Sequence, residues 1–191
     1  QVTGKFSVKP YIGPIEIYPL PPDPRPTISI QSSGVAASWH ITTKDWFPER
    51  FQKVVDALAD DFRFVQVGSA KDPELVGTLD MRGKTSIRET AGVLKASRLY
   101  VGQVGFLMHL ARSVNCRSVI VYGGREHPDQ SGYPCNENVY SAVECSPCWL
   151  LSECKVGKIC MDNISVEIVT EAIKRTYDRG TANLELDVAD L

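Results

Sequence analysis

Short runs of strand-forming residues alternate along the chain with segments whose apolar positions recur every three or four residues. Residues 27–30 (TISI), 62–67 (FRFVQV), 98–101 (RLYV) and 117–122 (RSVIVY) are rich in β-branched and aromatic side chains at strand length. A brief further strand is expected at 79–81, and 74–79 reads as a short helix or a turn. Pro48 suits a first helical turn, and Phe51, Val54, Val55 and Leu58 follow it at helical spacing. Ile87, Ala91 and Leu94 form a second stripe behind Thr85 or Ser86, with Glu89 close to capping-box spacing. Further helices are predicted over 107–114 and 166–177, the last burying Val166, Val169 and Ile173.

Parallel strands need crossover connections, so this alternation predicts an α/β domain: a Rossmann-like parallel sheet with helices on both faces. In such sheets ligands lie beyond the carboxyl ends of the strands. The candidate site loops are therefore 31–45, 68–73, 82–86, 102–106 and 123–130. Ahead of the domain, residues 1–26 carry Pro10, Pro14, Pro19, Pro21, Pro22, Pro24 and Pro26 and read as an extended lead or an inter-domain connector. Ile15 and Ile17 alternate there as a short edge strand would. The domain is expected to span 27–177, followed by a polar, fraying tail at 178–191.

Composition narrows the function more than the fold. The 191 residues suffice for one well-packed domain, and the 43% apolar content excludes a disordered or fibrous chain. A net charge of −2 gives no electrostatic footprint for nucleic acid or anionic membrane, so any bound anion must be held by a local site. No apolar run reaches the roughly 18 residues of a membrane span, and the start lacks a charged-then-apolar signal pattern. A cytoplasmic location is the resulting expectation.

Six cysteines are present, at 116, 135, 145, 148, 154 and 160. Cys145-x2-Cys148-x5-Cys154-x5-Cys160 gathers four soft ligands into one short segment, and its C-x2-C pair lets two thiolates reach one metal. Four thiolates leave no open coordination position, so the expected cofactor is structural zinc or iron, with no catalytic metal. Buried free cysteines or a disulfide are the alternative. Cys116 and Cys135 read as ordinary cysteines.

Three loops have the chemistry of a diphosphate cradle. Gly102-Gln103-Val104-Gly105 joins a strand to a helix, so backbone N–H groups and the helix dipole can meet an anion together. Arg82-Gly83-Lys84-Thr85-Ser86 offers cations and hydroxyls before another helix, and Lys44 can meet a phosphate as a point charge. Glycines at such turns also serve tight geometry alone, a solitary lysine is commonly solvated, and a histidine such as His109 on an amphipathic helix is often simply packed.

The order of these pieces resembles glycosyltransferase family 9, the lipopolysaccharide heptosyltransferases, over about Thr27 to Ile173. The resemblance rests on Lys44-Asp45-Trp46-Phe47-Pro48-Glu49-Arg50-Phe51, on Arg82 through Glu89, on Val101-Gly102 through Met108-His109-Leu110-Ala111, and on Cys145-Ser146-Pro147-Cys148-Trp149 to Cys160-Met161. It implies one half of a GT-B fold, the C-terminal domain that holds the donor. The donor would be a nucleotide-diphosphate sugar, with an ADP-sugar favoured. The acceptor would be a glycan or protein, and an N-terminal acceptor domain would supply the general base in a bacterial cytoplasm. Lys44 would then meet the donor's phosphate or sugar, Thr85 would line the nucleotide pocket, Gly105 would present backbone to the diphosphate, and His109 would lie one turn behind; Lys84 and Gln103 complete the expected donor-binding set. The family usually has Asn-Asp-Ser-Gly or Val-Asp-Thr-Gly where this chain reads Gln103-Val104-Gly105-Phe106, so the acidic residue that would contact the donor sugar is Val104 here, and a valine side chain cannot accept a sugar hydroxyl. Three alternatives follow: a different donor, substitution by Gln103, or loss of donor binding in a degenerate, non-catalytic binding or assembly module. An unrelated dinucleotide binder is disfavoured by the absent glycine fingerprint.

Overall fold

A computed structural model describes residues 9–35 and 41–180. Its strands are β1 (Thr27–Ile30), β2 (Arg63–Gln66), β3 (Leu79–Asp80), β4 (Leu99–Gln103), β5 (Ser118–Val121) and β6 (Glu137–Val139). The helices are α1 (Pro48–Leu58), α2 (Ile87–Ala96), α3 (Phe106–Ser113), α4 (Pro128–Ser131), α5 (Ile159–Asp162) and α6 (Val166–Asp178). All neighbouring strands are parallel, in the order β3-β2-β1-β4-β5-β6. Chain direction across the sheet reverses between β1 and β4, the switch point at which doubly wound sheets open a crevice.

Side chains leave a strand alternately on its two faces, and here each face has its own helical layer. Ile28 and Ile30 of β1, Val101 of β4, and Val119 and Val121 of β5 pack with Phe51, Val54 and Leu58 of α1 and Val169 and Ile173 of α6. On the other face Val65, Tyr100, Ile120 and Tyr122 meet Ala91 and Leu94 of α2 and Leu107, Met108 and Ala111 of α3. Each fully buried valine, leucine or isoleucine contributes about 1.5–3 kcal/mol over its exposed state, so these two layers hold the sheet edge rigid where the loops emerge. Ser29, also on the second face, is buried and places its hydroxyl 2.6 Å from that of Ser97.

Two features differ from the sequence expectation. Ile15 and Ile17 form no strand; the described lead is instead an extended segment lying on α2. Proline-rich backbone keeps its carbonyls but loses donors, and α2 supplies the donors. Arg88 bonds the carbonyls of Ile12 (3.0 Å) and Pro14 (2.5 Å), and Lys95 bonds that of Ile15 (2.7 Å). Gly92 permits the approach, since a Cβ there would stand 2.7 Å from the Glu16 carbonyl oxygen. The second difference is β6, which extends the sheet beyond β5 where no strand was expected. The 74–79 segment is a turn. The start of the lead at 1–8, residues 36–40 of the 31–45 loop, and residues 181–191 of the tail lie outside the described residues. No helix among the described residues is long and apolar enough to cross a membrane.

Candidate functional site

A cavity of about 410 Å³ lies at the carboxyl edge of the sheet, walled by the loops after β1, β2 and β4 and by the start of α2. Four of the six anticipated donor residues line it together: Lys44, Thr85, Gln103 and Gly105. Asp45, Gln31, Ser69, Ile87, Thr90 and Val104 complete much of the wall. Lys84 and His109 are not among its lining residues. The Lys84 ammonium turns back to Asp80, bonding its carbonyl at 2.7 Å and its carboxylate at 3.1 Å. His109 Nδ1 lies 2.7 Å from the Tyr133 hydroxyl.

The two helix starts at the cavity are not equivalent. α2 is closed by a capping box: Glu89 N–H donates to the Ser86 hydroxyl at 3.3 Å, and Glu89 Oε2 accepts from Ser86 N–H at 2.8 Å. α3 begins at Gly105, which has no side chain to cap it, so its first-turn donors and dipole remain available to an anion. Gly105 has an extended backbone, φ 171°, and a Cβ there would meet nothing within 4 Å. Its missing side chain therefore leaves space in the cavity and relieves no strain.

Gln103 ties the β4 edge to the β1–α1 loop. Its Oε1 accepts the Trp46 backbone N–H at 3.1 Å, and its Nε2 donates to Asp45 Oδ1 at 2.6 Å. Trp46, fully buried, donates its indole N–H to the Ile164 carbonyl at 3.0 Å, which anchors the loop to the sequence before α6. Lys44 is held as well: its ammonium stands 2.5 Å from Glu126 Oε1. Glu126 is 5% exposed and also accepts from Arg125 at 3.0 Å and from Ser131 at 2.7 Å. Burial acts to raise the Glu126 carboxyl, but the bonds from Lys44 and Ser131 outweigh it and hold the group below its ordinary range. Burial lowers His109, and the nearby Lys44 charge lowers it further, so the imidazole is held toward its neutral form.

Behind the Gln31–Ser69 wall, the buried Asp72 accepts from Gln31 at 3.1 Å and from the Ser69 N–H at 3.2 Å. Burial raises its carboxyl above the usual range. Sequence reasoning singled out neither Glu126 nor Asp72. For Glu126 a signal existed: Arg125-Glu126 stands at the carboxyl end of a strand, within the nominated 123–130 loop.

The cysteine segment packs over the same loop. Thr42 and Thr43 donate to the Ser152 and Leu150 carbonyls at 2.7 and 2.5 Å, and Lys158 Nζ reaches the Asp45 carbonyl at 3.0 Å. Cys145 is exposed, Cys148 and Cys154 are half-buried, and Cys160 is buried in α5. Burial raises the Cys160 thiol, and Cys154 and Cys148 push it the same way, so these three sulfurs are within electrostatic reach. Cys154 Sγ already accepts the Lys158 N–H at 3.2 Å, as a thiolate ligand would. Among the described residues no three His, Cys, Asp or Glu side chains stand together at metal-holding geometry.

The sequence profile of glycosyltransferase family 9 (heptosyltransferase) matches residues 22–159. The chain belongs to glycosyltransferase family 9. Solved structures of similar fold include the iron-containing dodecameric glycosyltransferase TibC from enterotoxigenic E. coli, at TM-score 0.68 and 15% identity over 85% of this chain and 49% of that one. TibC is also known in complex with ADP-D-beta-D-heptose. A family 9 glycosyl transferase from Veillonella parvula matches at TM-score 0.60 and 20% identity, over 82% and 47% of the two chains. E. coli ADP-heptose lps heptosyltransferase II matches at 0.59 and 16%, over 81% and 47%. The chain thus spans about half the length of these family 9 structures. No curated protein matches it.

Proposed function

We propose that this chain is the donor-binding half of a heptosyltransferase-like, inverting glycosyltransferase, and that the cavity between β1 and β4 holds a nucleotide-diphosphate sugar. The observation that carries this reading is the convergence of Lys44, Thr85, Gln103 and Gly105, from three separate loops, on one cavity beside the uncapped start of α3. An ADP-sugar is the favoured donor, because TibC binds ADP-D-beta-D-heptose in a related fold.

In this reading Lys44 and the α3 amides stabilise negative charge on the leaving diphosphate, where charge grows in the transition state. No step requires a metal at the reacting centre. The acceptor, a glycan or protein, and the base that activates it belong to an N-terminal domain outside this chain. A zinc or iron held by Cys145, Cys148, Cys154 and Cys160 would be structural, bracing the segment that packs against the Lys44 loop. A second reading, a binding module without turnover, is favoured by Val104, which lines the cavity and has no polar side-chain atom to offer a ligand.

Calorimetric titration with ADP-, UDP- and GDP-sugars tests the donor reading. One ADP-sugar bound per chain, with UDP- and GDP-sugars weaker, supports it; no binding of any of the three contradicts it. Turnover on addition of an acceptor domain separates the catalytic reading from the binding module.

A further inference from the structure

Two threonines at the start of α2, Thr85 and Thr90, line the cavity together. Their hydroxyls stand 2.8 Å apart, so one donates to the other. The direction is decided one bond further in. The Thr90 hydroxyl also lies 2.9 Å from the Ser86 backbone carbonyl, which can only accept, so its single proton goes there. Thr85 must then be the donor of the pair, with its own proton turned inward to Thr90. Among the described residues nothing else bonds the Thr85 hydroxyl, so it presents the cavity with lone pairs only. Ser86 is fixed by the capping box that closes α2, and Thr90 is 7% exposed, so this chain of bonds stands before any ligand arrives.

An oxygen that only accepts selects a ligand group that donates, and the surroundings indicate which one. Ile87 and Phe106, the first residues of α2 and α3, are 58% and 57% exposed. No other exposed large apolar side chain among the described residues lines the cavity. Such a surface suits the flat, apolar face of a nucleobase, whereas ribose and hexose carry hydroxyls all round. The diphosphate has a separate place at the uncapped start of α3. A base lying on Ile87 can set its polar edge against Thr85, two residues back along the same wall. We propose that Thr85, its proton held by Thr90, accepts from the exocyclic amino group of the base, and that the pair makes the cavity select adenine over a purine with a carbonyl at that position. This rests on the donor-site reading above, and it names the base from the chain's own hydrogen bonds.

The test is calorimetric titration with ADP and with inosine diphosphate, whose 6-carbonyl and N1 hydrogen replace the 6-amino group of ADP. The native chain, Thr85→Val, Thr90→Val and Thr90→Ser are compared, with melting temperature reporting the fold of each. The native chain is expected to bind ADP about tenfold more tightly than inosine diphosphate, the scale of one hydrogen bond gained against an acceptor left facing an acceptor. Thr85→Val should bring the two ligands to similar affinity by weakening ADP. Thr90→Val keeps the Thr85 hydroxyl but releases its proton, so the preference should collapse because inosine diphosphate gains. A merely structural role for Thr90 would weaken both ligands alike. Thr90→Ser keeps the bond to Ser86 and should keep the native preference, and it stands in for Thr90→Val should that variant fail to fold. A native chain that binds the two ligands equally would overturn the assignment. So would Thr85→Val losing equally for both, which would make Thr85 a ribose contact, or Thr90→Ser or Thr90→Val departing from these preferences while folded. If the native chain binds neither ligand, the donor-site reading itself fails, a result distinct from all of these.

Discussion

Glu126→Gln is the most informative single change, because Glu126 holds Lys44, the lysine proposed to meet the donor diphosphate. In the free protein one carboxylate is shared by two cations, Lys44 at 2.5 Å and Arg125 at 3.0 Å, with side-chain exposures of 19% for Lys44, 10% for Arg125 and 7% for Glu126. Removing one member of a buried pair leaves an uncompensated charge and typically costs about 3–5 kcal/mol. Glutamine still accepts from one cation, so the low end, about 3 kcal/mol, is expected. For a chain of this size that lowers the melting temperature by about 6–12 °C. Saturating ADP should shrink that deficit without abolishing it. Two cations without a counter-charge attract a diphosphate more strongly than two that share one carboxylate, so the variant should bind ADP about tenfold more tightly, a gain of about 1.4 kcal/mol. Thermal melts with and without ADP, combined with titration calorimetry, read both effects. A variant that melts as the native protein does, or that binds ADP more weakly, would refute the idea that Glu126 holds Lys44 ready for phosphate.

Other consequences are independent of that one. Gly105→Leu should fold with little change in melting temperature, since its backbone is extended and a Cβ meets nothing, yet should abolish nucleotide binding in a titration by filling the space before α3. His109 has its affinity for protons lowered in the folded state, so the unfolded chain binds the extra proton first; stability should therefore fall as pH drops below the ordinary histidine value of about 6.5. His109→Gln should flatten that part of the stability–pH profile, and an unchanged profile would show that His109 is not held neutral. Chain purified under reducing conditions should contain about one zinc or iron, and Cys148→Ser should lower both metal content and melting temperature; a metal-free protein that melts identically would remove the structural role.

The strands were readable because β-branched and aromatic runs such as RSVIVY can hardly form anything else when buried on both faces. β6 was not, because Glu137-Asn138-Val139 carries one apolar residue and forms only by pairing with the already buried β5 edge. The lead's proline content revealed extension but not docking, which depends on donors from Arg88 and Lys95 far along the chain. Loop position in a doubly wound sheet anticipated where the cavity lies, with Lys44, Thr85, Gln103 and Gly105 on its wall. It could not orient side chains. Lys84 looked as cationic as Lys44, but Asp80 lies four residues earlier and captures it. Glu126 and Asp72 acquire their surroundings from tertiary neighbours, Lys44 and Gln31, which no local spacing encodes.

The most direct measurement is a crystal structure of this chain grown with ADP. The account places the diphosphate within hydrogen-bond reach of Lys44 Nζ and of the first-turn N–H groups of α3, with Thr85 and Ile87 bordering the nucleoside. ADP bound elsewhere, or a cavity that stays empty at saturating ADP, would contradict it.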